Sequence, residues 1–281
     1  MPLRVILASV IVSSLIRRRH GRALPILFLV ALLPVLAPGL LAQGGNKLLS
    51  AGTAASPSTA ADVFAAPQTI VIGFLGGFVR HDDAVHSEVQ LAQHLRHEYP
   101  ASVHVEAFEN RRREDAHKLI LSLLAADGNG KPTDEQKHAA RVILYGHSWG
   151  ANAVVALARD LQSDGVPVLL TVQVDSIAKN GQNDGLIPGN VAQAINFYQD
   201  KGFLHGQRQI RAADAGRTQI LGNFRMDYAA NPIACPQYPW FDKIFMRSHI
   251  EIECDPSVWQ RIETLIREQL PAQVARAGGE Q

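Results

Sequence analysis

The chain has 281 residues, of which 47% are hydrophobic and 19% are charged. This composition excludes a mainly disordered protein, because it can bury a substantial core, and the length suits one large domain or two small ones. The first 42 residues contain five arginines and no acidic residue, which leaves 22 basic and 26 acidic side chains in the remainder. Because the rest of the chain has a net negative charge, it does not attract phosphate groups in general, and nucleic acid is not expected as a partner.

The N-terminal segment, residues 1–42, has the order of an export signal. A basic cluster at 17–22 is followed by twenty uncharged, largely apolar residues at 23–42. The pattern predicts cleavage near Ala42 and an exported protein, periplasmic or extracellular. The alternative is a membrane anchor formed by residues 23–42, because about 20 apolar residues can span a bilayer.

A linker and a folded domain are predicted after this segment. Residues 43–67 are rich in Gly, Ser, Ala and Pro and contain few large apolar side chains, which is typical of a flexible linker. The domain is expected over residues 68–281.

Within the domain, apolar strand-like runs alternate with stretches of helical spacing. Strands are predicted at residues 69–74, 102–108, 141–146 and 166–174, with helices within 83–99, 114–130 and 149–162. This alternation favours an α/β fold: a mostly parallel sheet with helices on both faces, in a three-layer sandwich.

The pattern after Asp175 is less regular. Residues 176–190 indicate a long loop, 191–199 a short helix, 217–224 a strand, and 255–270 a closing helix. Asp255 suits the N-cap of this last helix, and Pro256 its first position.

The motif Gly-His-Ser-Trp-Gly at residues 146–150 lies between a predicted strand and a predicted helix. At such a turn the serine adopts strained backbone angles, and the flanking glycines avoid clashes that side chains would cause. Ser148 is therefore a candidate nucleophile. The backbone N–H of Trp149, at the start of a helix, is a candidate donor to an oxyanion.

The motif resembles the nucleophile turn of the α/β-hydrolase superfamily, in particular its lipase, esterase and thioesterase-like members. The glycine-rich stretch at 73–78 and the order serine, acid, histidine add to the resemblance, which covers roughly residues 68–270. It implies an α/β-hydrolase fold and a Ser-His-Asp triad.

The chain order of this superfamily leaves two candidates for the catalytic base, His205 and His249. His249 is favoured because we expect it in a loop just before the last helix. For the acid, Asp175 is favoured because it directly follows a buried strand, at the edge where open α/β sheets assemble their sites. Asp184 and Asp227 remain rivals for the acid.

The loop after the first strand is expected to supply the second oxyanion donor. Its glycines let the backbone bend toward Ser148, and the N–H of Leu75 or Gly76 is the predicted donor. The only two cysteines, Cys235 and Cys254, could form a disulfide in an oxidising compartment, or remain as buried thiols. A disulfide would tether the segment that carries His249.

Metal binding is a minor hypothesis at this stage. Near residues 81–86, His81, Asp82, Asp83 and His86 are ligand types, but acidic residues at a helix start stabilise its dipole without any ion. His94 and His97 fall on the same predicted helix in a polar setting. No cysteine and histidine set with zinc spacing and no phosphate-binding loop motif occurs, so no metal and no cofactor is expected.

The residues and the resemblance together predict an exported serine hydrolase that cleaves a carboxylic ester or thioester through an acyl-enzyme. The expected partner is a small-molecule or lipid ester. Two alternatives stay open: a catalytically silent scaffold that acts in binding, and an acyltransferase that uses the same triad. Several aromatic residues could line an acyl pocket, although core packing explains them equally well: Phe74, Phe78, Phe197, Tyr198, Trp240 and Phe241.

Overall fold

The computed structural model describes residues 69–125, 130–179 and 181–271. The predicted export signal or anchor and the predicted linker lie outside these residues. All described residues belong to the compact unit Phe64–Gln281. None of the helices in the described part of the chain has the length and hydropathy of a membrane span.

The elements alternate between strand and helix in the first half of the domain. They are β1 (Thr69–Leu75), α1 (Ser87–Glu98), β2 (Val103–Glu109), a 3₁₀ turn (Asn110–Arg112), α2 (Arg113–Leu124), α3 (Asp134–His138), β3 (Arg141–His147), α4 (Trp149–Ser163), β4 (Val168–Val174), β5 (Leu186–Ile187), β6 (Val191–Tyr198), β7 (Arg211–Ala212), β8 (Gln219–Arg225), α5 (Trp240–Cys254) and α6 (Pro256–Gln269).

Six strands form one parallel sheet in the order β2, β1, β3, β4, β6, β8. The remaining strands, β5 and β7, form a small parallel pair. Because all six strands run in one direction, their carboxyl ends meet at a single edge of the sheet. The strands β3 and β4 are neighbours, so the residues that follow them, Ser148 and Asp175, emerge side by side at this edge.

Helices cover both faces of the sheet. Alternate strand residues point to opposite faces, so Val71 of β1 and Ile143 of β3 pack on the side of α1 and α6. Their neighbours Ile70 and Leu144 pack on the side of α2 and α4. Burial on both faces explains why these strands are almost continuously apolar in sequence. The predicted α/β class and three-layer arrangement are confirmed.

Two predictions about local structure were wrong. Residues 191–199 were expected to form a helix, but β6 occupies Val191–Tyr198 between β4 and β8. Short apolar runs do not separate helix from strand by periodicity, and pairing on both sides decides for the strand. His249 was expected in a loop but lies in α5, beyond a non-helical residue at Met246. The N-cap of α6 was predicted correctly: the Asp255 side chain accepts a hydrogen bond from Ser257 N, and Pro256 begins α6.

Candidate active site

Ser148 occupies the sharp turn between β3 and α4. Its backbone angles are φ 57° and ψ −124°, and it is one of two described residues other than glycine with positive φ. Such angles cost on the order of 1–3 kcal/mol and persist where the surroundings enforce them. Hydrogen bonds on both sides fix the turn, since Ser148 N donates to Val174 O and Ile177 N donates to Ser148 O. The strand and helix therefore hold the serine in a strained conformation at the sheet edge.

The two glycines of the motif are required by close packing. A Cβ on Gly146 would lie 2.7 Å from the carbonyl carbon of Gly150. A Cβ on Gly150 would overlap the backbone oxygen of Phe74 in β1. Both positions thus allow α4 to start directly against the sheet, as the sequence motif predicted.

Asp175 directly follows β4 and is the second residue with positive φ, at 42°. Its side chain is fully buried and accepts hydrogen bonds from Gly206 N at 2.8 Å, Gln199 N at 3.2 Å and Gln199 Nε2 at 2.8 Å. Burial opposes ionisation, but the hydrogen bonds from His249 and Gln199 outweigh it and lower the pKa of Asp175. The carboxylate is therefore held charged in a dry site.

His249 is joined to this carboxylate. Its Nδ1 lies 2.7 Å from Asp175 Oδ2, and both side chains are buried. Since an ionised carboxylate can only accept, Nδ1 is assigned as the donor, and Nε2 is the ring nitrogen that points away from the acid. The His249 ring also packs on the ring of His147, the residue before the serine, with centroids 4.6 Å apart.

Ser148 Oγ has no hydrogen-bond partner among the described residues. Ser148 is buried, with 7% of the residue exposed. In proteins without substrate the link between nucleophile and base is often long and tightens only on binding. The structure therefore brings the acid and the base into contact, and the ring of His147, the residue before Ser148, packs against the base.

The residues predicted as oxyanion donors lie next to Ser148 in the chain or in the loop after β1. Trp149 is the first residue of α4, where N–H groups have no partner within the helix. A Cβ built on Gly76 would lie 3.0 Å from the Cβ of Ser148, so the loop after β1 lies directly against the serine. Burial raises the pKa of Glu88, and the nearby Gly76 N–H opposes that rise without reaching hydrogen-bond geometry with the carboxyl. Leu75, the last residue of β1, is buried beside it.

The rival candidates lie in other surroundings. His205 is exposed, and it is the neighbouring Gly206 N–H that contacts Asp175. Asp184 is buried but accepts a hydrogen bond from Ser176 Oγ at 2.5 Å, and burial raises its pKa. Asp227 forms an exposed ion pair with Arg225. The contact with His249 is therefore made by Asp175 and by neither rival.

The two cysteines form a disulfide with Cα atoms 5.9 Å apart. It joins the segment before α5 to Cys254, the last residue of that helix. His249 lies between the two cysteines in sequence, so the bridge closes the loop that carries the base. A cross-link of this kind limits the conformations open to the segment before folding.

A buried cluster beside the serine was missed by the sequence analysis. His86 Nδ1 lies 2.6 Å from Glu253 Oε1, and His147 Nδ1 lies 3.4 Å from Glu253 Oε2 and 3.9 Å from Glu88 Oε1. Burial and the nearby Glu253 raise the pKa of Glu88, while burial lowers the pKa of His147 to about 4. Sequence spacing could not reveal this set, because it joins α1, β3 and α5.

The metal-ligand types noted near residues 81–86 do not gather in one place. His81 hydrogen-bonds to Glu109, and Asp82 pairs with Arg80. Only His86 turns toward the buried cluster.

Two small cavities flank the candidate site. One, of about 180 Å³, is lined by Asn152 of α4, by Lys179 and by Arg113 among others. The other, of about 170 Å³, lies between residues 201–204 and 244–248, directly before His249. Of the aromatic residues proposed for an acyl pocket, Phe74 and Phe197 belong to the core.

No protein-family model and no curated protein matched the chain. Among solved structures, RedJ with polyethylene glycol bound in its active site matches 78% of this chain and 96% of its own, at 11% identity and a TM-score of 0.38. A second structure, the RedJ thioesterase of the prodiginine pathway in Streptomyces coelicolor, matches 74% and 92% at 12% identity and a TM-score of 0.36.

A third structure, from Xanthomonas campestris pv. campestris and described as belonging to the alpha/beta hydrolase superfamily, matches 71% of this chain and 99% of its own, at 13% identity and a TM-score of 0.34. These descriptions agree with the resemblance predicted from the sequence. At such low TM-scores they carry no argument, so the site rests on the topology and contacts of this chain.

Proposed function

We propose that the chain is a serine hydrolase that cleaves a carboxylic ester or thioester through an acyl-enzyme. The observation that carries the proposal is the buried pair of Asp175 and His249, 2.7 Å apart, beside a serine held at φ 57° on a strand-to-helix turn. A carboxylate that fixes the tautomer of a histidine next to a strained serine is the arrangement that nucleophilic acyl transfer requires.

The first half of the reaction forms the acyl-enzyme. Ser148 Oγ attacks the carbonyl carbon while His249 Nε2 takes its proton, and Asp175 stabilises the resulting imidazolium. The carbonyl oxygen becomes an oxyanion that accepts hydrogen bonds from Trp149 N–H and from the N–H of Leu75 or Gly76. The tetrahedral intermediate then expels the alcohol or thiol, which receives the proton from His249.

The second half returns the enzyme to its starting state. Water attacks the acyl carbon, His249 Nε2 accepts a proton from the water, and the second tetrahedral intermediate releases the carboxylic acid as the proton returns to Ser148 Oγ.

The cavity next to His249 is the proposed acyl site. Its wall contains Phe203, Leu204, Ile244 and Phe245. Phe203, Ile244 and Phe245 are each more than 60% exposed, which is unusual for large apolar side chains and is explained if an acyl chain covers them. An apolar acyl group is therefore the preferred substrate part on this side of the serine.

Export of the protein is part of the proposal. A disulfide between Cys235 and Cys254 supports an oxidising compartment, where such bridges persist. The mass of the mature N-terminus, measured from the native host, tests it. A chain that retains residues 1–42 would favour the anchor over the cleaved signal.

Labelling with a fluorophosphonate probe tests the nucleophile, because the probe reacts with activated serines. We expect wild-type protein to be labelled and Ser148→Ala to be unlabelled, with hydrolysis of p-nitrophenyl esters reduced by about 10⁶-fold. The matched control is Ser163→Ala, at the exposed end of the same helix, where the hydroxyl bonds only to Arg159 O. Equal labelling of wild type and Ser148→Ala would refute the proposal.

Ester hydrolysis must be separated from acyl transfer and from a silent scaffold. Product analysis with a competing alcohol shows whether the acyl group passes to water or to the alcohol. Labelling without turnover of any ester or thioester in a chain-length series would support the scaffold instead.

A further inference from the structure

The buried cluster beside the candidate active site is unlike the rest of the interior. Glu88 is 1% exposed, and neither of its carboxyl oxygens has a hydrogen-bond partner among the described residues. An unpartnered buried carboxyl costs several kcal/mol if ionised, so such groups are normally protonated, paired or bound to a cation. In the part of the chain that the structure describes, no lysine or arginine forms an ion pair with Glu88, whereas His147 Nδ1 lies 3.9 Å from Glu88 Oε1 and a carboxyl oxygen of Glu253 lies within 4.8 Å.

The donor atoms around Glu88 lie at distances that suit a metal ion. One donor atom each from His86, Glu88 and Glu253 lie within 4.8 Å of one another. Zinc binds imidazole and carboxylate at about 2.0–2.2 Å, which places the ligand atoms of a tetrahedral site about 3.3–3.6 Å apart. His147 Nδ1 lies 3.4 Å from Glu253 Oε2 and 3.9 Å from Glu88 Oε1, close to that spacing, whereas His86 Nδ1 and Glu253 Oε1 are hydrogen-bonded at 2.6 Å and would have to separate to bind one ion.

The surroundings hold these side chains in place. Glu253 is fixed through its backbone oxygen, which accepts hydrogen bonds from Ser87 Oγ and Trp259 Nε1, both at 2.7 Å. The Tyr238 hydroxyl donates to the Glu253 carboxylate and contacts His86 Nδ1. The next residue after Glu253 is Cys254 of the disulfide. Orienting contacts of this kind are typical of the outer shell of metal sites.

We propose that His86, Glu88 and Glu253, with His147 as the fourth donor, bind one divalent transition-metal ion, with zinc as the preferred ion. Two carboxylates neutralise its charge, and two imidazoles complete a nitrogen and oxygen donor set that suits zinc. The ion would join the start of α1, the end of β3 and the end of α5. Glu253 is four residues, or about one helical turn, after His249. The ion therefore acts as a positioning device for the segment that carries the base.

A second cluster in the chain supplies a matched comparison. His94, Glu98 and Glu263 also bring one histidine and two carboxylates together, but at the surface. Arg267 already pairs with both of these carboxylates. A guanidinium thus already occupies both carboxylates, and no metal ion is expected there.

The test measures metal binding by the full chain, purified without a polyhistidine tag and stripped with a chelator. Zinc chloride is added in a calorimetric titration, and bound metal is counted by mass spectrometry after desalting. We expect about one zinc ion per chain for the wild type and for Glu263→Gln, and zinc affinity at least about tenfold weaker for Glu88→Gln. These readings need no substrate, so they do not depend on the proposed hydrolase activity.

Two further measurements guard against misfolding of the variant. Zinc should raise the melting temperature of the wild type, because a ligand that binds only the folded state stabilises it. Cobalt bound to the wild type should show the visible absorption of a tetrahedral site. Wild-type protein that binds zinc no more tightly than Glu88→Gln, or that gains no thermal stability from zinc, would overturn the proposal. An equal loss of affinity in Glu263→Gln would do the same.

Discussion

Two buried carboxyl groups flank the same serine turn, and they differ in almost every contact. Asp175 accepts three hydrogen bonds from Gln199 and Gly206 and a fourth from His249. Glu88 has no hydrogen-bond partner on either oxygen among the described residues. The pKa of Asp175 is lowered by its hydrogen bonds in spite of burial, whereas burial raises the pKa of Glu88.

The contrast shows that burial alone does not give a carboxyl group its role. Asp175 is surrounded by donors that stabilise its charge within the protein, so it can orient His249 without any additional group. Neither oxygen of Glu88 has a hydrogen-bond partner among the described residues, and burial raises its pKa, so only its ionised form needs a cation. The first arrangement is complete without a cation, and the second is the one to which we assign a metal ion.

The largest expected effect follows from breaking the contact between Asp175 and His249. Asp175→Asn replaces the acceptor for His249 Nδ1 by an amide that can also donate, which favours the wrong tautomer of the base. We expect kcat for ester hydrolysis to fall by about 10⁴-fold with the fold retained. Steady-state kinetics and circular dichroism of the purified variant provide the measurement.

Asp184→Asn is the matched control, because Asp184 is also a buried acid that follows β4. Its partner is Ser176 Oγ, not the histidine. We expect a loss below about tenfold, within the range of ordinary packing effects. A loss as large in Asp184→Asn as in Asp175→Asn would remove Asp175 from the triad.

A smaller effect on the rate is expected when the Asp175 carboxylate is displaced but kept in the chain. A Cβ at Gly206 would lie 2.6 Å from Asp175 Cα and equally close to Oδ1, so Gly206→Ala must displace the carboxylate. A shift of about 1 Å in a catalytic group can cost about 10²-fold in rate. The control is Gly189→Ala, where the nearest atom would be 3.7 Å away. Equal kcat/KM values for the two variants would contradict the placement of Asp175.

Much of the fold could be predicted from the sequence, because parallel strands buried on both faces leave a recognisable pattern. The runs that became β1, β3 and β4 are continuous apolar stretches bounded by glycine or aspartate. The pattern failed at Val191–Tyr198, where eight apolar and polar residues fit either element and only the pairing with β4 and β8 decides.

The parts of the candidate site that depend on the order of residues along the chain could be predicted from the sequence. Ser148 and Asp175 each follow a strand directly, so the sheet edge brings them together. The prediction of a loop around His249 was wrong. His249, Ile250 and Ile252 are buried residues of α5, a helix that starts at Trp240 and is interrupted at Met246. The cluster around Glu88 left no local signal, since His147 and Glu253 are brought to it only by the packing of three distant elements.

For Glu88 we expect that replacing the acid stabilises the metal-free protein. In chelator-stripped protein, Glu88→Gln replaces an unpartnered carboxyl by an amide that can donate to Glu253. We expect the free energy of unfolding at pH 7 to rise by about 1–3 kcal/mol, the typical cost of an unsatisfied buried polar group. With zinc present the order should reverse, because the wild type then gains binding energy that the variant lacks.

Urea denaturation with and without zinc measures both values. A Glu88→Gln chain that is less stable than the wild type under both conditions would mean that Glu88 has a partner in the folded protein, and the contrast with Asp175 would be lost.

The smallest effect concerns pH and involves a single proton. The folded-state pKa of Asp175 is lowered, so the folded chain binds fewer protons than the unfolded chain near the unfolded pKa of about 3.9. The stabilisation is therefore fully present above that pKa and is lost as the pH falls through the folded value. The difference in unfolding free energy between the wild type and Asp175→Asn should be constant near neutrality and shrink in acid. Thermal melts of both chains between neutral and acidic pH give this difference, and a gap that widens toward acid would show that the hydrogen bonds to Asp175 do not favour its charged form.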